Sequence, residues 1–199
     1  MSRIGQGKYL SWLLRHGAQE EHLPMDEAGW VSISTLLEHA QMSQECLEDI
    51  IENNNKSRYE RNETRIRASQ GHSLDTMPVT QEALEASWLP YRLQENVWHG
   101  TNLEALESIA KEGIQRGSRS HVHLSQGTNS ATGKRQNIAV MLAVSPIKLQ
   151  AHNISLYQSS NGVILARAVP TDCIVGIQCM TKKARKQQDR IANLFPWLQ

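Results

Sequence analysis

Cysteine is scarce in this chain: Cys46, Cys173 and Cys179, an odd number with no CxxC spacing. That usage argues against a disulfide framework and against a zinc site, and suits a reducing compartment. Long hydrophobic runs are missing too. The longest wholly apolar stretch, IAVMLAV at 138–144, is far too short to span a bilayer. The opening residues MSRIGQGKYL lack the apolar core of a secretory signal, so a cytoplasmic protein with no membrane partner is expected. Neither sign of charge dominates. Lys and Arg number 21 against 20 Asp and Glu, a net charge of +1, so any polyanion must be met by a local cluster. Neither GxGxxG nor GxxxxGK[ST] occurs, which removes the Rossmann and Walker phosphate loops. Internal repeats and low-complexity blocks are absent as well.

What is present suits a soluble globular chain. At 199 residues, 39% hydrophobic and 21% charged, it has room for one large domain or two small ones. Tyr9, Leu10, Leu13 and Leu14 recur at helical spacing, with Gly17 as a stop. Trp30, Ile33, Leu36 and Leu37 form a second amphipathic stretch. Ser43 caps a third, with Cys46, Leu47, Ile50 and Ile51 on its apolar face. KSRYERNETRIRAS then alternates around a polar NE turn and predicts a hairpin. Helices followed by a two-stranded wing make a winged-helix module the expectation for 1–75. Residues 76–94, with two prolines, read as a linker. From 95 to 180 the strand candidates VWHGT, HVHLS, IAVMLAV, GVILARAV and CIVGIQCM surround a helix, NLEALESIAKEG, that Gly113 should end. The tail, 181–199, has Ile191, Leu194, Phe195 and Leu198 at helical spacing and is expected to dock as a short helix. The fold class is therefore α+β.

Three polar clusters draw the eye, and each has an ordinary explanation. Arg15 and His16 end the first helix, where cations complement the dipole. Lys56, Arg58, Arg61, Arg65 and Arg67 outnumber Glu60 and Glu63 in the hairpin. Arg65 and Arg67 share a strand face opposite Ile66, where they either grip phosphates together or form a solvated basic wing. The third cluster joins HGT at 99–101 to SRSHVHLS at 118–125. As a strand, the latter puts Val122 and Leu124 on one side and His121, His123 and Ser125 on the other. HGT and HLS both fit H-x-[ST], the repeat of two-histidine phosphoesterases. However, Gly100, Asn102 and Gln126 break its apolar pattern, and the repeats stand only 22 residues apart.

Six segments occur in an order that resembles the NAD-dependent RNA 2′-phosphotransferases. They are LSWLLRHG at 10–17, DEAGWVSISTLL at 26–37, RIRASQGHS at 65–73, WHGT at 98–101, RSHVHLS at 119–125 and NGVILARAVP at 161–170. The resemblance implies an N-terminal winged-helix RNA lobe and a C-terminal lobe of ADP-ribosyltransferase fold. It also implies the reaction, in which an internal 2′-phosphate of a tRNA-like RNA is transferred to NAD+, the co-substrate. An ADP-ribosylated RNA 2′-phosphate intervenes, and the products are 2′-hydroxyl RNA, nicotinamide and ADP-ribose 1″,2″-cyclic phosphate.

The implied catalytic group is Arg15, His16, Arg67 and Arg119, arginines because their planar forks hold phosphate oxygens and stay charged. The implied NAD contacts are His99, Gly100, Thr101, His123, Leu124, Ser125, Gly133, Arg135 and Val163. Val163 stands where many transferases carry a glutamate, which a phosphate nucleophile does not require. Arg65, Gln70 and His72 are the implied RNA contacts; no metal and a monomer are expected. Gln136 and Asn137 depart from the family's usual histidine and glycine. Two other classes fit less of the chain: an ADP-ribosyltransferase acting on terminal phosphates of nucleic acid, and a non-catalytic winged-helix regulator.

Overall fold

The computed structural model describes residues 3–54, 57–128 and 138–198. Lys56, Gly133, Arg135, Gln136 and Asn137, named above, lie outside them. The fold is α+β, built from small antiparallel sheets and short helices. The chain divides into two compact units: Met1–Leu89 with Ser118–Ser120 and Ser159–Asn161, and the remainder from Pro90 onward. Residues 118–120 therefore belong with the N-terminal unit, although they immediately precede a strand of the second.

In the first unit, α1 (Arg3–Trp12) runs directly into a π-helical turn, Leu13–Gly17. The wider turn brings residues 12 and 17 together, and a Cβ on Gly17 would lie 2.5 Å from the Trp12 ring. Only glycine fits beneath that indole. Then follow β1 (Val31–Ser32), α2 (Ile33–Ala40) and α3 (Gln44–Glu52). Ser43 caps α3 as expected, its hydroxyl accepting from the Cys46 N–H at 3.2 Å. The hairpin is β2 (Tyr59–Arg61) and β3 (Arg65–Ala68), turned by Asn62, whose side-chain oxygen accepts from the N–H groups of Thr64 and Arg65. Sheet order is β1-β3-β2, with Ile66 opposite Val31. Leu10, Leu13, Leu14, Leu36, Leu47 and Ile66 are fully buried.

Residues 76–94 contain more than linker. Thr80 caps α4 (Gln81–Ser87) by accepting from the Ala83 N–H, and Leu84 and Trp88 are buried. The two prolines that suggested a linker flank this helix without interrupting it.

The second unit contributes β4 (Leu89–Pro90, at the division itself), β5 (Val97–Thr101), α5 (Leu106–Glu112), β6 (Val122–Leu124), β7 (Val140–Val144), α6 (Pro146–Ala151), β8 (Tyr157–Gln158), β9 (Ile164–Ala166) and β10 (Ile174–Cys179). Two sheets result, of order β10-β7-β5 and β4-β8-β9-β6. β7 is the central strand of its sheet, and all five of its residues are buried. That explains why its sequence is continuously apolar instead of alternating. The expected tail helix is two, α7 (Lys182–Arg185) and α8 (Gln188–Leu194), which bury Ala184 and Ile191 in the core of this unit, joined there by Phe195 just beyond α8. Among the described residues, no helix is long and apolar enough to cross a membrane.

Candidate active site

The π-turn sets Arg15 and His16 beside a second strand of backbone. Ser73 donates its N–H to the Arg15 carbonyl at 2.8 Å, and its hydroxyl lies 2.8 Å from His16 Nδ1. Ser73 also forms an antiparallel bridge with Arg119, while the Ser120 N–H donates to the His72 carbonyl at 2.7 Å. Gln81 of α4 donates to the Ser120 carbonyl at 2.7 Å. Segment 72–74 thus lies between the π-turn and segment 118–120, so Arg15, His16 and Arg119 gather in the first unit. Ser73 was not singled out in the sequence; a serine after QGH carries no signal separating it from any loop serine.

The electrostatics of this group are one-sided. Arg15 is brought down to about 10 by burial first, then by the like charges of Arg58 and Arg119, with Tyr59 opposing them. Its Nε is buried without a hydrogen-bond partner, and its best contact is 3.5 Å to the Arg58 carbonyl. Among the described residues, no carboxylate pairs with it. His16 is held below its ordinary value by burial, then by Arg15 and Arg119, and is neutral at neutral pH. A half-buried guanidinium with no carboxylate partner among the described residues, flanked by like charges, is a candidate anion site.

Arg67 does not join this group. Its Nε and Nη2 both donate to Glu60 Oε2, at 3.1 and 2.8 Å, and its Nη1 donates to the Ala28 carbonyl and Ser87 Oγ. Only 2% of its surface is exposed, and its guanidinium lies 4.6 Å from the Trp30 ring centre. Arg65 lies 5.3 Å from the same ring and pairs with Asp26 at 3.4 Å. The strand face that Arg65 and Arg67 share is thus occupied by Trp30 and two carboxylates, so Arg67 at least is not a solvated wing residue. Arg67→Ala is expected to cost about 3 kcal/mol, the low end for breaking a buried pair because Glu60 retains some access to water. Urea denaturation checks this; an unchanged midpoint would show that the network carries no stability.

His72, expected to touch RNA, is 0% exposed, which excludes a direct contact from its ring. It packs against Gly29, where a Cβ would lie 2.8 Å from Nε2. Gln70 is half-buried and Arg65 exposed.

In the second unit, Trp98 and Ser125 exchange both backbone hydrogen bonds at 2.8 Å, bringing β5 alongside the end of β6. His99 Nδ1 then lies 3.0 Å from the His123 carbonyl. A carbonyl only accepts, so Nδ1 carries the proton in this contact. Thr101, Leu124, Ser125 and Val163 are buried, and the Ser125 hydroxyl donates to the Trp98 and Gly127 carbonyls. Gly100 has a packing reason different from the one expected: a Cβ there would lie 2.5 Å from Ile138 Cδ1.

Sequence spacing also missed a His152, Asp172 and Cys173 group, whose potential ligand atoms lie within 4.8 Å of one another. His152 Nε2 is already 2.7 Å from Asp172 Oδ2, and burial pushes the Cys173 thiol up to about 11, away from the thiolate that zinc needs.

The described residues thus form an α+β protein whose first unit gathers two guanidinium groups and an imidazole. A family model described as "RNA 2′-phosphotransferase, Tpt1 / KptA family" matches residues 2–168, and the chain belongs to that family. A protein of Pseudomonas fluorescens described as "Probable RNA 2′-phosphotransferase" is 39% identical over 176 residues, 84% of this chain and 93% of the relative. Proteins of the same description from Flavobacterium johnsoniae and Fusobacterium nucleatum are 37% and 35% identical, covering 82% and 84% of this chain and 90% and 95% of theirs.

Proposed function

We propose that this chain removes an internal 2′-phosphate from RNA by transferring it to NAD+, through an ADP-ribosylated RNA 2′-phosphate. The observation that carries this reading is the group of Arg15, His16 and Arg119, cationic, partly buried and lacking a carboxylate for Arg15. On this reading Arg15 and Arg119 take the 2′-phosphate oxygens, and His16 moves the protons of the second step. Helices α1, α2 and α3 with the β1-β3-β2 sheet of the first unit support a winged-helix RNA lobe. The second unit's two small antiparallel sheets, with His99 anchored through Nδ1, support an ADP-ribosyltransferase-like NAD lobe. NAD+ supplies, as co-substrate, the anomeric carbon that the phosphate attacks as nicotinamide leaves. On this reading His99 lies at the wall that meets the NAD+ ribose, and the burial of Leu124 and Val163 keeps that wall apolar.

Incubating the protein with labelled NAD+ and an oligonucleotide bearing one internal 2′-phosphate tests the reading. Full transfer, persisting in a chelator, supports it. An adduct that never resolves indicates a terminal-type ADP-ribosyltransferase, and no reaction overturns the proposal.

The neutral state of His16 has a measurable counterpart. Its folded pKa lies below the unfolded 6.5, so the unfolded chain binds the proton more readily, and stability falls as pH drops below 6.5. NMR titration of the free protein should place His16 below 6.5. Arg119→Gln should move it upward by removing a like charge. A downward or absent movement would show that Arg119 does not act on this ring.

A further inference from the structure

α1, α3 and β2 line an open cavity of about 650 Å³ that, Arg15 apart, no role above uses. That lies within the range of about 300–1,000 Å³ typical of small-molecule sites. Arg15 forms part of its wall, so the cavity opens from the same side chain that we assign to the 2′-phosphate. Apolar surface comes from Ile50, Cys46 and the Tyr59 ring, and the exposed rim carries Lys8. Tyr59 is fixed in place by its hydroxyl, which contacts Ser11 at 2.5 Å and the Gly7 carbonyl at 3.3 Å. Arg58 donates to Asn54 Oδ1 at 3.1 Å, which orients its guanidinium at the cavity.

The lining holds three cations, Lys8, Arg15 and Arg58, against one carboxylate, Asp49. Arg15 Nε, buried and without a partner, is an independent sign that a ligand completes the site. An aromatic ring over apolar floor, amide edges and an excess of positive charge together match one chemistry. That chemistry is a nucleoside with its phosphodiester: the base stacks, its edge hydrogen-bonds, and the backbone meets the cations.

We infer that this cavity holds the nucleoside of the RNA strand adjacent to the 2′-phosphorylated one. The inference rests on the 2′-phosphotransferase reading, and it makes the cavity a determinant of strand binding separate from the chemistry. A free mononucleotide 2′-phosphate engages Arg15 but leaves the cavity empty. An oligonucleotide fills both.

Gly7 supplies a clean probe. It sits in α1, and a Cβ there meets only Ile50 Cγ2 at 3.8 Å, an ordinary contact. Gly7→Leu therefore projects into the cavity and replaces a poor helix former by a good one, so folding is retained. The expected result is a KM about tenfold higher for an internally 2′-phosphorylated oligonucleotide, the loss of one base-stacking contact, with kcat unchanged. For a 2′-phosphorylated mononucleotide, KM and kcat should both stay as in the unmodified chain. An equal effect on the two substrates, or none on the oligonucleotide, overturns the inference. If the unmodified chain turns over neither substrate, the phosphotransferase reading fails. Fluorescence anisotropy of the labelled 2′-phosphorylated RNA then still tests the cavity, since it needs no turnover: weaker binding by Gly7→Leu supports it and equal binding overturns it.

Discussion

Arg119→Ala is expected to slow single-turnover nicotinamide release about 10²–10³-fold, the usual cost of losing one charge-assisted contact at a preorganised site. The expectation comes from placement. Arg119 belongs to the first unit, where its backbone bridges Ser73 and its charge depresses both Arg15 and His16. Alanine keeps the main-chain atoms that bridge Ser73, so the backbone framework of the site survives the substitution while the first step is expected to fail. Arg119→Lys should recover part of the rate, since lysine restores the charge without the two-pronged fork. Unchanged nicotinamide release in Arg119→Ala would remove this arginine from the phosphate site.

The sequence announced this arrangement unevenly. Local signals were the clearest: the Ser43 cap, the NE turn of the hairpin and the alternation of Val122 and Leu124 each depend on neighbours a few residues away. The π-turn was hidden because its apolar residues, Leu13 and Leu14, fit an ordinary helix equally well; only the Trp12–Gly17 packing distinguishes it. Helix α4 carried a cap and a helical composition, but its flanking prolines dominated the reading.

The fates of the arginines were not local at all. Strand periodicity puts Arg65 and Arg67 on one face, yet nothing in the spacing says that Trp30, Glu60, Ala28 and Ser87 converge there. The contrast with Arg15 is instructive. Both come from motif segments, but Arg67 is buried against its carboxylate, whereas half-buried Arg15 has none among the described residues. Breaking a buried pair leaves an uncompensated charge, so the loss of stability expected for Arg67→Ala is the effect to separate from any loss of rate.

His16→Ala should produce a different failure from Arg119→Ala: the first step continues and the second stalls. Attack by a phosphate dianion removes no proton, whereas the second step must deprotonate a ribose hydroxyl and protonate the departing RNA oxygen. His16 suits that work in two respects. Burial, Arg15 and Arg119 keep it neutral and able to accept a proton near pH 7. The Ser73 hydroxyl, 2.8 Å from Nδ1, fixes the ring so that Nε2 is the working nitrogen. Loss of a positioned general acid–base group typically costs about 10²–10⁴-fold, here confined to the second step. An ADP-ribosylated RNA should therefore accumulate when His16→Ala is mixed with NAD+ and a 2′-phosphorylated oligonucleotide, and denaturing gels resolve it from substrate and product. Ser73→Ala, which loosens the ring without deleting it, should accumulate less of the same adduct. Starting RNA left unmodified by His16→Ala would place His16 in binding or in the first step, and the division of labour argued here would fall.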